Sequence, residues 1–328
     1  MFSRLSIVSM AFVAALCGAV PVEERNGKHV YPGWDKLKYL FFFGDSYTTT
    51  GFNLTNGSPL PGSGNPMGNP PWPGESNKKN SGPNWAGYLT TTFNRSELLA
   101  YNFAYGGATV NSALVKPYLP TVLSFAEQVQ TLFLPNLSPE SPASPAPAWE
   151  SENSLFLVWI GVNDVGNSYE NGDYANFHGI LMDEYFRILE ELYCAGARNF
   201  LLLNVPPIER SPLTIGRGDQ AVSSEREALE SYNRALEDGL CGFKRSHTDV
   251  HGDVFDTAEV FTRILDGPER YGIKNTTAFC GRYRGGTPEW DTYYPECGIK
   301  VSEYFWLDSL HPTWPVHKVL AEKIAESL

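Results

Sequence analysis

The stretch FFFGDSYTTTGFN, residues 41–53, decides how the chain is read. An apolar run ends in Gly44 and Asp45, then meets a lone Ser46 followed by further hydroxyls. Apolar runs bounded by turn residues fit strands buried on both faces of a parallel sheet. In such sheets reactive groups sit just beyond the carboxyl ends of the strands, which is where Ser46 stands. By itself Ser46 reads as a turn serine capping a helix. A nucleophile there requires a base, an acid to orient the base, and donors for an oxyanion from elsewhere in the chain.

Outward from this stretch, similar apolar runs recur. They predict strands at Tyr39–Gly44, Leu98–Phe103, Leu155–Gly161, Phe200–Val205 and Val250–Asp256. Helical spacing lies between them: Trp85, Tyr88, Leu89 and Thr92 share one face, as do Val122, Phe125, Val129 and Leu132. The same spacing recurs at Tyr185, Ile188, Leu189 and Leu192, at Leu229, Tyr232 and Leu236, and over His317 to Leu328 with Val319, Leu320 and Ile324. Strand alternating with helix predicts an α/β fold, a five-stranded parallel sheet between two helical layers. Two stretches interrupt the rhythm. Thr48 to Pro83 is a long Gly-, Pro- and Asn-rich loop read as functional, because it follows Ser46 directly. Pro135 to Trp149 is read as an exposed Pro/Ser/Ala connector rather than a domain linker. Residues 20–328 are therefore expected to form one catalytic domain.

Three strand ends deliver unusual residues to one edge of the predicted sheet. Ser46 follows the first strand, Tyr105-Gly106-Gly107 the second, and Gly161-Val162-Asn163-Asp164 the third. An acyl-transfer intermediate needs fixed donors for its oxyanion. The Gly107 N–H can approach closely because no side chain blocks it, the Asn163 amide can donate, and the Ser46 N–H can add a third bond. The base is expected from WLDSLHPTWP, residues 306–315. There Asp308 precedes His311 by one short turn and can fix the ring tautomer, while Pro312 and Pro315 stiffen the segment. Blander roles exist for Asn163, a turn residue, and for Gly107, a tight turn that is compatible with oxyanion binding. His247 and His251 invite a metal reading, but they fall at a strand entry where they would not converge, so no metal and no cofactor is expected. G-x-S-x-G and the phosphate-cradling P-loop pattern are both absent.

FGDSYT, the glycines of NFAYGGAT, GVND and DSLHP resemble the four ordered blocks of the GDSL, or SGNH, hydrolase superfamily, over residues 39–318. That resemblance implies a flavodoxin-like three-layer sandwich, with Ser46 as nucleophile, His311 as base and Asp308 as its orienter. It makes Gly107, Asn163 and the Ser46 N–H the oxyanion hole, and Asp45 and Asp164 structural members of the blocks. SGPNWAGYLT, YNFAYGGATV, WIGVNDVGNS, WLDSLHPT and the GNPPWPG loop are similar to fungal secreted acetyl esterases of carbohydrate esterase family 16, which remove acetyl groups from small xylo-oligosaccharides. An acetylated oligosaccharide is thus the expected substrate. The rival readings are a lipase for longer acyl esters on the same scaffold and a non-catalytic secreted carbohydrate-binding protein. Tyr47, Trp72 and Trp314 lie in or beside the loops that carry these blocks. Sugar stacking, cover for an acyl pocket and plain loop packing are all open to them.

The remaining signals concern the compartment. Residues 1–19 combine Arg4, an apolar stretch and small residues at Cys17-Gly18-Ala19, the pattern of a cleaved signal peptide. Secretion makes five sequons meaningful: Asn53, Asn56, Asn94, Asn136 and Asn275. With Cys17 in the leader, Cys194, Cys241, Cys280 and Cys297 remain, and four cysteines allow three pairings. Cys280–Cys297 is favoured, closing a Gly- and Tyr-rich loop, which leaves Cys194–Cys241. The net charge of -12 argues against nucleic acid and anionic membranes as partners, and the chain is read as a monomer.

Overall fold

A computed structural model describes residues 31–54, 59–73, 82–139, 141 and 147–328. The expected leader and the sequon at Asn56 lie outside these residues. Five parallel strands form one sheet in the order β2-β1-β3-β4-β5: β1 Tyr39–Gly44, β2 Leu99–Asn102, β3 Ser154–Trp159, β4 Asn199–Leu203 and β5 His251–Phe255. Each lies within two residues of its predicted bounds. β1 is buried along its whole length because helices cover both faces of the sheet. Alternation of side chains divides its phenylalanines between the layers. Phe41 and Phe43 pack with Phe133 and Phe156, and Phe43 also meets Phe125. Phe42 turns the other way, edge-on to Trp85 at 5.3 Å. Full burial of each such ring is worth about 1.5–3 kcal/mol, which makes this strand the anchor of the sheet.

Helices Tyr174–Cys194 and Asp219–Ser246 pack together on one side, and Trp85–Thr91, Thr257–Asp266 and Trp314–Ser327 on the other. The last helix starts earlier than its apolar pattern predicts, since Pro315 suits a first turn. It buries Val316, Leu320 and Ile324, while Val319 is only half-buried. The predicted helix around Val122 begins instead at Phe125, where Ser124 and Glu127 form a capping box. It passes into a π-helical turn, Gln128–Phe133, before ending at Leu137.

The stretch read as an exposed connector is corrected at both described ends. Leu137 is buried, and Trp149 is buried against Phe41 and Phe156, with its Nε1–H donating to the Leu137 carbonyl at 2.6 Å. A Trp this size contributes core area that the Pro/Ser composition around it conceals. The long loop after Ser46 is also ordered where it is described: Phe52 packs edge-on to Tyr101 and Phe103, and Asn69 bonds Asn53 and the Pro59 carbonyl.

The order β2-β1-β3 places a topological switch at β1: the chain leaves it to one side for β2 and returns on the other for β3. Ligand crevices open at such a point, beyond the strand carboxyl ends. Gly44 marks the close approach there. A Cβ at Gly44 would fall 2.2 Å from the Trp159 carbonyl oxygen, so only glycine lets β1 end against β3.

Candidate active site

The turn carrying Ser46 is tied down by its own neighbours. The Tyr47 N–H donates to Asp45 Oδ1 at 2.9 Å, and the Thr48 and Thr49 N–H groups donate to the Asp45 carbonyl. Asn84 caps helix Trp85–Thr91 and also donates through Nδ2 to the Thr48 and Thr49 carbonyls, each at 2.8 Å. Asn102, at the end of β2, adds a second bond to the Thr48 carbonyl. Below the turn, Gln128 clamps the backbone of Gly44 from both sides. Its Oε1 accepts from the Gly44 N–H at 2.9 Å and its Nε2 donates to the Gly44 carbonyl at 2.8 Å. Gln128 lies in the π-helical turn, a distortion that often marks functional sites.

Ser46 and His311 meet across the sheet edge. Ser46 Oγ lies 2.8 Å from His311 Nε2, and His311 Nδ1 lies 3.0 Å from both carboxylate oxygens of Asp308. Asp308 Oδ1 also accepts from the backbone N–H of Leu310 and His311. Burial alone pushes the Asp308 carboxyl up. The hydrogen bond and charge of the His311 ring, with the two backbone donors, outweigh it and hold the group well below the usual carboxylate range. An ionised Asp308 fixes the Nδ1–H tautomer and leaves the Nε2 lone pair facing the serine.

The loop that carries Asp308 and His311 is held from several directions. The Leu307 N–H donates to the His311 carbonyl, the Leu213 N–H to the Ser309 carbonyl, and the Thr313 hydroxyl to the Tyr304 carbonyl. Tyr47 donates its hydroxyl to the Leu310 carbonyl at 2.7 Å. Tyr47 is fully buried, edge-on to Trp159, so it has no face to offer a sugar. Its expected contact with substrate is thereby corrected: it ties the Ser46 turn to the His311 loop.

The second and third strand ends complete the arrangement. Gly107 has φ +84°, in the region that favours glycine. The Asn163 amide donates to the Ala108 carbonyl at 2.8 Å, which leaves its second N–H for another acceptor. Among the described residues, none accepts a hydrogen bond from the Ser46 or Gly107 N–H. Asp164 is buried and accepts from the Val110 N–H through both oxygens, which pins the segment after Gly107. Burial pushes Asp164 up to about 7. Burial likewise raises Asp45 to about 7, against the Tyr47 N–H that lowers it and with the nearby Asp164 charge adding to the rise.

Trp72 and Trp314 are half-buried and belong to one aromatic group with Trp290, which the sequence reading missed. Trp290 stands edge-on to Trp72 at 6.4 Å and tilted to Trp314 at 6.3 Å, and its carbonyl accepts from Trp314 Nε1–H. Trp72 also meets Tyr88 edge-on.

Cys280 and Cys297 form a disulfide, as favoured from the sequence. The Cys194–Cys241 pairing is corrected, because Cys241 is a free, exposed thiol. It follows the buried Leu240 on helix Asp219–Ser246, so it sits about 100° round the helix from the packed face. Asn53 and Asn94 are exposed, and Asn136 and Asn275 are half-buried. His247 Nε2 pairs with Glu190 at 2.7 Å, while His251 stacks on Tyr31. The two histidines do not converge, and no cluster of three metal-ligating side chains occurs among the described residues. No described helix is long and apolar enough to cross a membrane.

A serine, a tautomer-fixed histidine and open backbone donors at a switch point define an ester hydrolase of the serine type. The model of the GDSL-like lipase/acylhydrolase family matches residues 40–324, so the chain belongs to that family and is a carboxylic ester hydrolase. It is 38% identical over 291 residues to an acetylesterase of Thermothelomyces thermophilus, covering 88% of each chain. It is 26% identical to a thermolabile hemolysin of Vibrio parahaemolyticus, over 74% of this chain and 54% of that one. Among solved structures, an acetylxylan esterase of Geobacillus stearothermophilus aligns with TM-score 0.46 and 17% identity, covering 90% of this chain and 95% of that one.

Proposed function

We propose that the protein is a secreted serine esterase that removes acetyl groups from hemicellulose-derived oligosaccharides. The observation that carries the chemistry is the continuous line Asp308–His311–Ser46. Ser46 Oγ attacks the acetyl carbonyl carbon as its proton passes to His311 Nε2. The oxyanion takes hydrogen bonds from the Ser46 and Gly107 N–H groups and the Asn163 amide. The carbon–oxygen bond to the sugar then breaks, and His311 returns its proton to the departing sugar oxygen. Water gives a proton to His311 and attacks the acetyl-serine. The second tetrahedral intermediate expels Ser46 Oγ, which recovers the proton, and acetate leaves. Asp308 stays ionised and stabilises the imidazolium.

The acetyl specificity is supported by the 38% identity to an acetylesterase. The leader-like start, the exposed sequons Asn53 and Asn94 and the Cys280–Cys297 disulfide support secretion and glycosylation of one catalytic domain. Trp72 and Trp314, joined by Trp290, are proposed to line the sugar site. A second reading, hydrolysis of longer acyl esters, draws on exposed Leu213 and Ile215 beside the Asp308–His311 loop.

Acetate release from acetylated xylo-oligosaccharides, compared with hydrolysis of medium- and long-chain acyl esters, tests the proposal. Fast release from the sugars, abolished in Ser46→Ala, is expected. Activity confined to long acyl chains overturns the substrate and keeps the chemistry. A folded enzyme inert on every ester overturns both.

A further inference from the structure

We propose that Tyr118 sets specificity for the sugar side of the ester, its ring forming a platform for the acetylated pyranose beside the oxyanion hole. The inference rests on the deacetylase reading above and adds a residue to it. Tyr118 is 71% exposed, the most exposed large hydrophobic side chain among the described residues. Its position is nevertheless close to the reacting centre. The ring lies so near the Gly107 Cα that a Cβ there would fall 2.2 Å from Tyr118 Cε1 and 2.5 Å from Cδ1. An oxyanion bound by the Gly107 N–H would sit about 3 Å from that nitrogen. The Tyr118 ring is therefore a near neighbour of the acetyl carbonyl.

The segment that presents Tyr118 is built rather than loose. The Leu114 and Val115 N–H groups donate to the Asn111 carbonyl, and Thr109 Oγ1 donates to the Val115 carbonyl at 2.9 Å. Asn111 reaches helix Tyr174–Cys194 through a 2.7 Å bond from its Nδ2 to Glu184 Oε1. Val115 and Val122 are buried on either side of the tyrosine. Pro117 and Pro120 bracket Tyr118 and Leu119; each fixes its own φ, and Pro120 disfavours helical backbone at Leu119. With the preceding backbone already ordered, a ligand that covers the ring has chiefly its two side-chain torsions to freeze, which keeps the entropic cost of contact small.

The chemistry of the substrate calls for such a surface. An acetyl group offers one methyl for recognition, so discrimination among acetate esters must come from the alcohol side. A pyranose presents axial C–H bonds on its face, which suit the negative face of an aromatic ring. Tyr105, 40% exposed and on the same strand-end turn as Gly107, extends the apolar surface.

The test compares kcat and KM of wild type, Tyr118→Ala and Tyr118→Phe on acetylated xylo-oligosaccharides and on ethyl acetate, which has no ring to stack. Tyr118→Ala is expected to lower the ratio of kcat/KM on sugar to kcat/KM on ethyl acetate about tenfold, mainly through KM. Tyr118→Phe, which keeps the ring, is expected to restore the ratio. Equal losses on both substrates would assign Tyr118 to support of Gly107 and overturn the proposal, as would an unchanged ratio. Wild type that cleaves ethyl acetate but no sugar acetate would overturn the substrate reading and this inference together. An unchanged ratio with brisk wild-type sugar deacetylation would sink the inference alone.

Discussion

The floor of the site and its rim are built on different principles. The floor consists of the ends of β1, β2 and β3, with Asp45, Asp164, Gln128, Asn84 and Asn102 buried beneath or beside Ser46. Each backbone group of the turn that these side chains reach is held by a short, identified bond. The proposed rim consists of Trp72, Trp290, Trp314 and Tyr118, partly exposed rings: the tryptophans, Trp314 from a helix start, meet one another, and Tyr118 lies against the Gly107 backbone. Changes to the floor should therefore act on every ester alike and largely on kcat. Changes to the rim should act on some esters only, through KM.

The largest expected effect is at the centre of the floor. Ser46→Ala and His311→Ala should each lower kcat on every ester by about 10⁴ or more while circular dichroism stays that of the wild type. A substrate-dependent loss would break the distinction at once. Gln128→Leu removes both bonds to Gly44 and strands its buried N–H, while the Gly44 carbonyl keeps the bond from the Tyr105 N–H. It should cost about 1–3 kcal/mol in urea unfolding and reduce kcat on sugar and non-sugar esters in the same proportion. A Gln128→Leu enzyme with altered KM for sugars alone would assign Gln128 to the rim. Replacing Cys280 and Cys297 with serine opens a loop of sequence separation 17. It should lower stability by about 3 kcal/mol, and activity at low temperature should persist if the small core of Tyr283, Val301, Tyr304 and Leu307 still holds the His311 loop.

On the rim, Trp290→Ala should raise KM for acetylated oligosaccharides several-fold, about 1 kcal/mol in binding, while kcat on ethyl acetate changes less than twofold. The last effect is a pH dependence of stability. Asp45 and Asp164 hold their protons more tightly in the folded chain, with folded values of about 7 against 3.8 in the unfolded chain. Their contribution makes stability fall as pH rises across that window. Asp164→Asn cannot ionise, so its melting temperature should decline less between pH 4 and 7, by a few degrees. Asp308 works in the opposite sense, since its lowered value favours the folded state above 3.8 and that contribution is lost on acidification.

The same division governs what could be read from the chain. The floor was legible because strand ends, glycines and the Asp308–His311 spacing are local patterns, and topology alone brings them together. The five strands were found from apolar runs because parallel sheets bury both faces. Gln128 was not legible: a polar residue between Glu127 and Val129 looks like a solvent position, and only the π-helical turn aims it at Gly44. Among the roles open to Tyr47 the sequence could not choose, because chain position beside Ser46 says nothing about direction, and its side chain goes under the turn rather than over it. Trp72 and Trp314 were picked out by their loops, whereas Trp290 and Tyr118 depend on contacts between remote stretches. The Cys194–Cys241 pairing followed from elimination alone, and elimination ignores which side of a helix a thiol faces.

The most direct test of the central claim is covalent. The protein should be incubated with a serine-directed phosphonate ester, its intact mass measured and the adduct mapped by peptide sequencing, with His311→Ala treated in parallel. One adduct, on Ser46, formed quickly in the wild type and at least a hundredfold more slowly without His311, is the predicted result. A folded wild type that stays unlabelled, or one labelled at a different serine, would contradict the account.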